Sequence, residues 1–84
     1  MDFRLKVFYS VATNLSFTKA SHELFISQPA ISKHIRELEQ RFETPLFERN
    51  GNKIQLTRAG ELLLSHAQSL LAAYRQLNFE MNLL

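Results

Sequence analysis

The segment from Gln28 to Arg36 combines amide, hydroxyl and cationic side chains and contains no carboxylate. Amide and hydroxyl groups can read the edges of DNA bases, and cations bind guanine or phosphate. A helix turning about 100° per residue gathers the polar groups of this region on one side. The polar face consists of Gln28, Pro29, Ser32, Lys33, Arg36 and Gln40. Its chemistry is suited to the major groove of double-stranded DNA.

The opposite side of the same segment is apolar and predicts a helix over residues 28–42. Four apolar residues are spaced four, three and four apart, and we expect all of them to face a core: Ile31, Ile35, Leu38 and Phe42. Ser27 is a good N-cap, and Pro29 falls in the first turn, where its missing N–H costs nothing. Thr44-Pro45 predicts the end of the helix.

Two shorter helices are predicted before this one. The first covers Asp2 to Asn14, with Asp2 in an N-terminal turn and an apolar stripe made of Leu5, Phe8, Val11, Ala12 and Leu15. The second is about two turns long and is capped by Ser16 or Thr18. Its inward residues are Phe17, Ala20 and Leu24. The tight turn at 25–27 then gives a helix-turn-helix.

The starts of the second and third helices could each bind a DNA phosphate. Backbone N–H groups and the helix dipole favour an anion at such a position. Thr18 and Lys19 add a hydroxyl and a cation at the second helix, and Ser27 lies at the third.

A β-hairpin is predicted after Pro45, in the stretch LFERNGNKIQL. The pair Asn50-Gly51 is a strong hairpin signal, because both residues tolerate positive φ. Phe47 faces Ile54 with a two-residue loop and Leu56 with a four-residue loop. Both registers keep these three side chains on one face, which leans on the helices. The hairpin makes the helix-turn-helix winged. Its tip, with Arg49, Asn52 and Lys53, can contact the DNA backbone or minor groove.

The last segment predicts a long helix that begins after an N-cap at Thr57. Its apolar residues alternate at spacings of four and three, as in the seam of a coiled coil. The seam consists of Leu63, Ala67, Leu70, Tyr74, Leu77, Met81 and Leu84. We expect part of this helix to pack on the domain and its far end to pair with a second chain.

Composition favours one small domain that has no catalytic role. The chain has 84 residues, no cysteine and a net charge of +2, and no apolar run is long enough to span a membrane. These features fit a cytoplasmic protein. His22, His34 and His66 fall on different elements, so no metal site is expected, and no cofactor is expected either. Neither a Gly-rich phosphate loop nor a nucleophile elbow is present, so we expect no enzyme.

The segment SFTKASHELFISQPAISKHIRELEQRFETPLFERNGNKIQLTRAG closely resembles the N-terminal domain of LysR-type transcriptional regulators. Its specific parts are SFTKAS, SQPAISKHIRELE, PLFER and LTRAG, and the similarity runs from about Phe3 to Leu77. The resemblance implies a mainly α fold, a winged helix-turn-helix of three helices and a β-hairpin wing, followed by a linker helix through which two domains dimerise. It implies base or backbone contacts from Gln28, Pro29, Ser32 and Lys33, with support from the wing by Arg49 or its neighbours. Lys33 stands where many members carry Arg, and a lysine lacks the bidentate fork that reads guanine.

The resulting interpretation is a dimeric DNA-binding domain of a bacterial regulator located at the nucleoid in the cytoplasm. Residues 1–57 form the winged helix-turn-helix and residues 58–84 the dimerising linker helix. The expected target is an interrupted inverted repeat in double-stranded DNA. Family members continue into a domain that binds a small-molecule effector. That domain is absent here, so we interpret the chain as a fragment of a protein that forms dimers or tetramers. The alternative is a winged-helix module that binds protein instead of DNA through its seam.

Overall fold

The computed structural model describes residues 3–84, which form four helices and a two-stranded antiparallel sheet. In chain order these are α1 (Phe3–Asn14), α2 (Phe17–Leu24), α3 (Gln28–Phe42), β1 (Phe47–Asn50), β2 (Lys53–Leu56) and α4 (Arg58–Asn82). The order confirms the mainly α, winged helix-turn-helix fold predicted from the sequence. The prediction that Asp2 belongs to the first turn of α1 lies outside the described residues.

Three helices begin at a hydroxyl-bearing N-cap. Ser16 caps α2, Ser27 caps α3 and Thr57 caps α4. Each hydroxyl oxygen accepts a hydrogen bond from the backbone N–H three residues ahead, at 3.0 to 3.2 Å. These bonds satisfy donors that a helix start otherwise leaves free. Of the two caps considered for α2, the structure therefore selects Ser16 over Thr18.

The first three helices each end at a residue in the left-handed conformation, and none of the three is glycine. Their φ angles are 48° at Leu15, 57° at Phe25 and 55° at Glu43. Leu15 was predicted to extend the apolar stripe of α1, but 49% of it is exposed. The prediction is wrong because the reversal of the backbone at Leu15 takes its side chain off the helical stripe.

The core forms where α1, α2, α3, the first half of α4 and the start of the wing meet. Its buried apolar residues are Leu5, Val7, Phe8, Val11, Ala12, Ala20, Ile31, Ile35, Leu38, Leu46 and Ala67. Burial of one large side chain such as Phe8 contributes about 1.5 to 3 kcal/mol. Phe42 was predicted to complete the buried stripe of α3, but it is 46% exposed. It is the last residue of α3, beyond the point where Leu38 meets the core, and this corrects the prediction.

The hairpin that forms the wing (residues 47–56) pairs Phe47 with Leu56 and Asn50 with Lys53. This is the second of the two registers considered, but its loop is Gly51-Asn52 and not a four-residue loop. Gly51 has φ 68°, which a glycine adopts without strain. Phe47 packs on Phe8, with ring centroids 5.5 Å apart, and so attaches the wing to the core.

Helix α4 lies on the core with its first half and extends beyond it with its second. Ala67 is fully buried, and Leu63, Leu64 and Leu71 pack against the core. From residue 72 onward every residue of the helix is exposed. Because the second half of α4 extends beyond the core, the chain is elongated and measures 50 Å in its longest dimension. Among the described residues, no helix combines the length and apolarity that a bilayer span requires.

Candidate nucleic-acid interface

The polar face of α3 is accessible along its length. Gln28, Pro29, Lys33 and Arg36 are exposed, and Ser32 is half-buried. On the opposite side, Ile31, Ile35 and Leu38 are buried in the core. Burial of the apolar stripe therefore fixes the rotation of α3, and this rotation presents amide, hydroxyl and cationic groups to the outside.

An open groove of about 220 Å³ separates α3 from the wing. Ser32 and Arg36 line it from α3, Arg49 and Ile54 line it from the wing, and Phe17 lies at its α2 end. The structure thus brings together predicted site residues from two separate parts of the sequence, Ser32 and Arg36 of α3 and Arg49 of the wing. Two cations on different elements face one channel, which is an arrangement that suits a polyanion.

The carboxylates of α3 are engaged with other parts of the protein. Glu37 approaches Arg4 of α1 at 3.9 Å and His34 at 3.6 Å. Glu39 accepts a hydrogen bond from the backbone N–H of Leu46 at 2.8 Å. Their negative charges are thus held at the edges of the polar face, beside α1 and the wing.

The remaining predicted contact residues flank the groove at two places. Thr18 and Lys19 are exposed in the first turn of α2, directly after Phe17 of the groove. Asn52 and Lys53 are exposed at the tip of the wing. Ser27 is also exposed, although its hydroxyl oxygen already accepts the capping bond of α3.

A polar network joins α1 to α2. The Ser10 hydroxyl donates to Glu23 Oε1 at 2.5 Å, and the Asn14 side-chain amide donates to the same oxygen at 2.9 Å. These two bonds, that from Ser10 first, lower the pKa of the Glu23 carboxyl below its ordinary value. The network therefore fixes α2 on α1, and the chain passes from α2 directly into the turn that precedes α3.

Six residues that line the groove were not assigned to the site by sequence reasoning: Phe17, Ile35, Glu39, Phe47, Glu48 and Ile54. Phe17 was predicted only as a core residue, and its ring does pack on Phe47 at a centroid distance of 5.9 Å. Glu39 was not among the predicted contact residues, and its hydrogen bond to Leu46 was not foreseen. The one sequence signal for it is Pro45, which has no N–H and leaves Leu46 as the next donor.

The seam of α4 divides into two parts in the structure. Leu63 and Ala67 belong to the contacts of the chain with its own core. Ala67 is fully buried there and has no surface left for a second chain, which corrects its assignment to a dimer contact. The other five seam residues are exposed: Leu70, Tyr74, Leu77, Met81 and Leu84.

A family model described as "Bacterial regulatory helix-turn-helix protein, lysR family" matches residues 3–61. A probable RuBisCO transcriptional regulator of Nostoc sp. (strain PCC 7120) is 41% identical over 69 residues, which are 82% of this chain and 20% of the relative. The HTH-type transcriptional regulator CbbR of Rhodospirillum rubrum is 43% identical over 70 residues, which are 83% of this chain and 24% of that protein. The chain thus spans between a fifth and a quarter of the length of these curated relatives.

A solved structure of a BenM_DBD/catB site 1 DNA complex superposes on this fold with a TM-score of 0.89. It is 32% identical to this chain, and the match covers 98% of this chain and 92% of that one. The family model covers most of the chain, and it matches the same helices, turn and wing that form the groove. The chain belongs to the LysR family of bacterial regulatory helix-turn-helix proteins.

Proposed function

We propose that this chain binds double-stranded DNA in a sequence-specific manner, as the dimeric DNA-binding domain of a transcriptional regulator. The observation that carries the proposal is the exposed polar face of α3 beside a groove shared with the wing. The face has the size and chemistry of a helix that reads the major groove. The similarity to regulators, and to a fold solved in complex with DNA, supports the same conclusion.

In the proposed complex, the N-terminal half of α3 enters the major groove and reads bases. Gln28 offers a side-chain amide, Ser32 a hydroxyl and Lys33 an ammonium group, while Pro29 offers an apolar contact to a thymine methyl. Base edges are distinguished by such donors, acceptors and apolar contacts. Lys33 acts as a compact cation, without the two-pronged geometry of an arginine.

Contacts to the DNA backbone surround this reading element. Arg36 and Arg49 bind phosphates from the two walls of the groove, and Asn52 and Lys53 reach the backbone or minor groove from the wing tip. The start of α2, with Thr18 and Lys19, and the start of α3 at Ser27 bind further phosphates. Each cation that neutralises a phosphate releases counterions, so affinity falls as the salt concentration rises.

Two chains join through the exposed part of the seam. Leu70, Tyr74 and Leu77 are exposed where α4 leaves the core, and Tyr74 lines a concave surface between α1, α2 and α4. We propose that the first half of α4, which packs on the core, belongs to the winged domain, and that its second half is the linker. A dimer of this kind places two reading helices on two half-sites of an interrupted inverted repeat.

The proposal assigns the chain a non-catalytic role in the bacterial cytoplasm, at the nucleoid. Its recognised relatives are transcriptional regulators. The proposal assigns neither response to a small-molecule effector nor assembly beyond a dimer to any of residues 3–84.

Selection of bound duplexes from a random-sequence DNA library tests the proposal. We expect enrichment of an interrupted inverted repeat, and a linear decrease of log affinity with log salt concentration. The selected duplex with one half-site scrambled serves as the control. Equal affinity for all DNA sequences, or an affinity that does not change with salt concentration, would contradict the proposal and favour a protein partner.

A further inference from the structure

Glu39 connects the reading helix to the base of the wing. Its Oε2 atom accepts a hydrogen bond from the backbone N–H of Leu46 at 2.8 Å. Leu46 lies directly before β1 and is only 1% exposed, so water has little access to satisfy this donor. A buried N–H without an acceptor is strongly unfavourable, and the bond therefore fixes the place where the wing begins.

The backbone between α3 and the wing leaves few alternatives to this bond. The Thr44 N–H donates to the carbonyl oxygen of Glu39 at 3.2 Å and closes the last turn of α3. Pro45 has no N–H, so Leu46 supplies the next donor along the chain. The backbone and the side chain of Glu39 thus bind two successive donors of the connection.

The other side of Leu46 is held by the start of α4. Its carbonyl oxygen accepts a hydrogen bond from the Thr57 N–H at 3.1 Å. The Thr57 hydroxyl donates to the Pro45 carbonyl oxygen at 2.7 Å. At Gly60, an added Cβ would lie 2.2 Å from the Leu46 oxygen, so the backbone of α4 must be bare there. Leu46 is therefore clamped between α3 and α4.

This clamp determines how the two walls of the groove stand relative to each other. Arg36 lies on α3, one turn before Glu39. Arg49 lies on β1, three residues after Leu46. The side chains of Arg36, Glu39 and Arg49 all line the same groove. We infer that Glu39 is a positioning residue for DNA binding, which holds the base of the wing so that Arg36 and Arg49 contact one duplex together. The inference rests on the proposed function.

The charge of Glu39 and its hydrogen bond predict opposite effects on binding. A carboxylate close to DNA repels phosphates, so its removal should strengthen binding if charge alone mattered. Loss of the hydrogen bond releases the wing and should weaken binding. Glu48 provides a matched control, because it lines the same groove and its carboxylate accepts only an exposed hydrogen bond from Gln55, at 3.1 Å.

Three substitutions of Glu39 separate the bond from the charge. Glu39→Ala removes both, Glu39→Asp keeps the charge on a side chain that is one methylene too short, and Glu39→Gln keeps an oxygen acceptor without the charge. We expect Glu39→Ala and Glu39→Asp each to weaken binding to the selected duplex by about tenfold at fixed salt. Glu39→Gln and Glu48→Ala should bind at least as tightly as the wild type.

Hydrogen exchange on the chain without DNA tests the clamp itself. The Leu46 amide should exchange faster in Glu39→Ala and Glu39→Asp than in the wild type and in Glu39→Gln. The amides of Ile31 and Ile35 report whether the core remains folded. If the Ile31 and Ile35 amides exchange faster in Glu39→Ala, the core of that variant is disturbed. The exchange of the Leu46 amide is then compared between the wild type and the milder Glu39→Asp variant.

Coupling to Arg49 distinguishes positioning from a general loss of stability. Arg49→Ala should cost less affinity in the Glu39→Ala background than in the wild type. In that background the wing is no longer held in place, so Arg49 already contacts the DNA less well. Full additivity of the two substitutions would overturn the inference, as would Glu39→Ala and Glu39→Asp variants that bind like the wild type. A wild-type chain that binds no duplex would instead refute the proposed function, whereas the Leu46 exchange rates would still report on the clamp.

Discussion

The wing and the second half of α4 both project from the core, yet they expose opposite kinds of side chain. The wing turns Phe47 and Leu56 towards the core and exposes Asn52 and Lys53 at its tip. Beyond residue 71, α4 has no core left to cover and exposes the large apolar groups of the seam, with Leu77 at 51% and Met81 at 58%.

This difference indicates two kinds of partner. Exposed cations and amides next to a groove are compatible with water and bind a polyanion through charge and hydrogen bonds. Exposed apolar groups in a regular seam are unfavourable in water and are stabilised when a second apolar surface covers them. The wing therefore suits DNA, and the second half of α4 suits a second copy of the chain. The predictions below test this division.

The largest effect is expected from charges placed in the seam. Leu70→Asp combined with Leu77→Asp puts carboxylates on a surface that must become dry, and we expect monomers in sedimentation experiments. Affinity for a duplex with two half-sites should fall by about 10² to 10⁴, because the second half-site no longer binds within the same complex. Affinity for an isolated half-site should change little.

The matched control for this variant carries the same added charge on the same helix, away from the seam. Phe79 and Leu83 are exposed to a similar or greater degree. Phe79 lies on the other side of α4, and Leu83 is the residue that follows the helix on that same side. Phe79→Asp combined with Leu83→Asp should leave the dimer intact. If both variants dimerise equally well, the seam is not the contact between chains.

An intermediate effect is expected from Gln28→Ala on the reading helix. The variant should lose about 1 to 3 kcal/mol of discrimination between the selected duplex and a scrambled one. Lys53→Ala on the wing provides the contrast. It should weaken binding to both duplexes alike. The slope of log affinity against log salt concentration should become less steep by about one. Competition binding at several salt concentrations measures both quantities. Unchanged discrimination in Gln28→Ala would show that bases are read elsewhere.

The smallest effect is expected from Glu23→Gln, which alters the link between α1 and α2. The pKa of the Glu23 carboxyl is lowered by the hydrogen bonds from Ser10 and Asn14, so the charged form stabilises the fold. This contribution is present above the ordinary pKa of a glutamate and disappears as the pH falls through the lowered value. The difference in Tm between the wild type and Glu23→Gln should therefore shrink from about pH 7 to about pH 3. A constant difference would contradict the role of the charge.

Much of the fold could be predicted because its helices carry strong local signals. The stripe of Ile31, Ile35 and Leu38 specified α3 and its orientation, and the hydroxyls at Ser27 and Thr57 specified two helix starts. The predicted ends of α1 at Asn14 and of α3 at Phe42 are also confirmed, although the left-handed residues that follow them are not glycines. Leu15 and Phe42 were assigned to the core in error, because the helical period does not show where the chain leaves the core.

The candidate site was predictable in its residue types and less so in its assembly. The polar face follows from the helical period alone, whereas the groove depends on how the wing packs against α3. The pair Asn50-Gly51 indicated a hairpin, but it did not decide which residues form the loop or whether the loop has two residues or four. The choice of Gly51-Asn52 places Arg49 opposite Ile54 on the inner face of the wing.

The sequence by itself determined the elements, because amphipathic period, capping hydroxyls and the proline and glycine positions act within a few residues of each other. It also determined which side of α3 is polar. Only the tertiary structure decided that Glu39 binds Leu46, that Arg36 and Arg49 share one groove, and that Ala67 belongs to the core. These outcomes depend on contacts between distant segments, where packing and the satisfaction of buried donors select one arrangement among many that the local pattern allows.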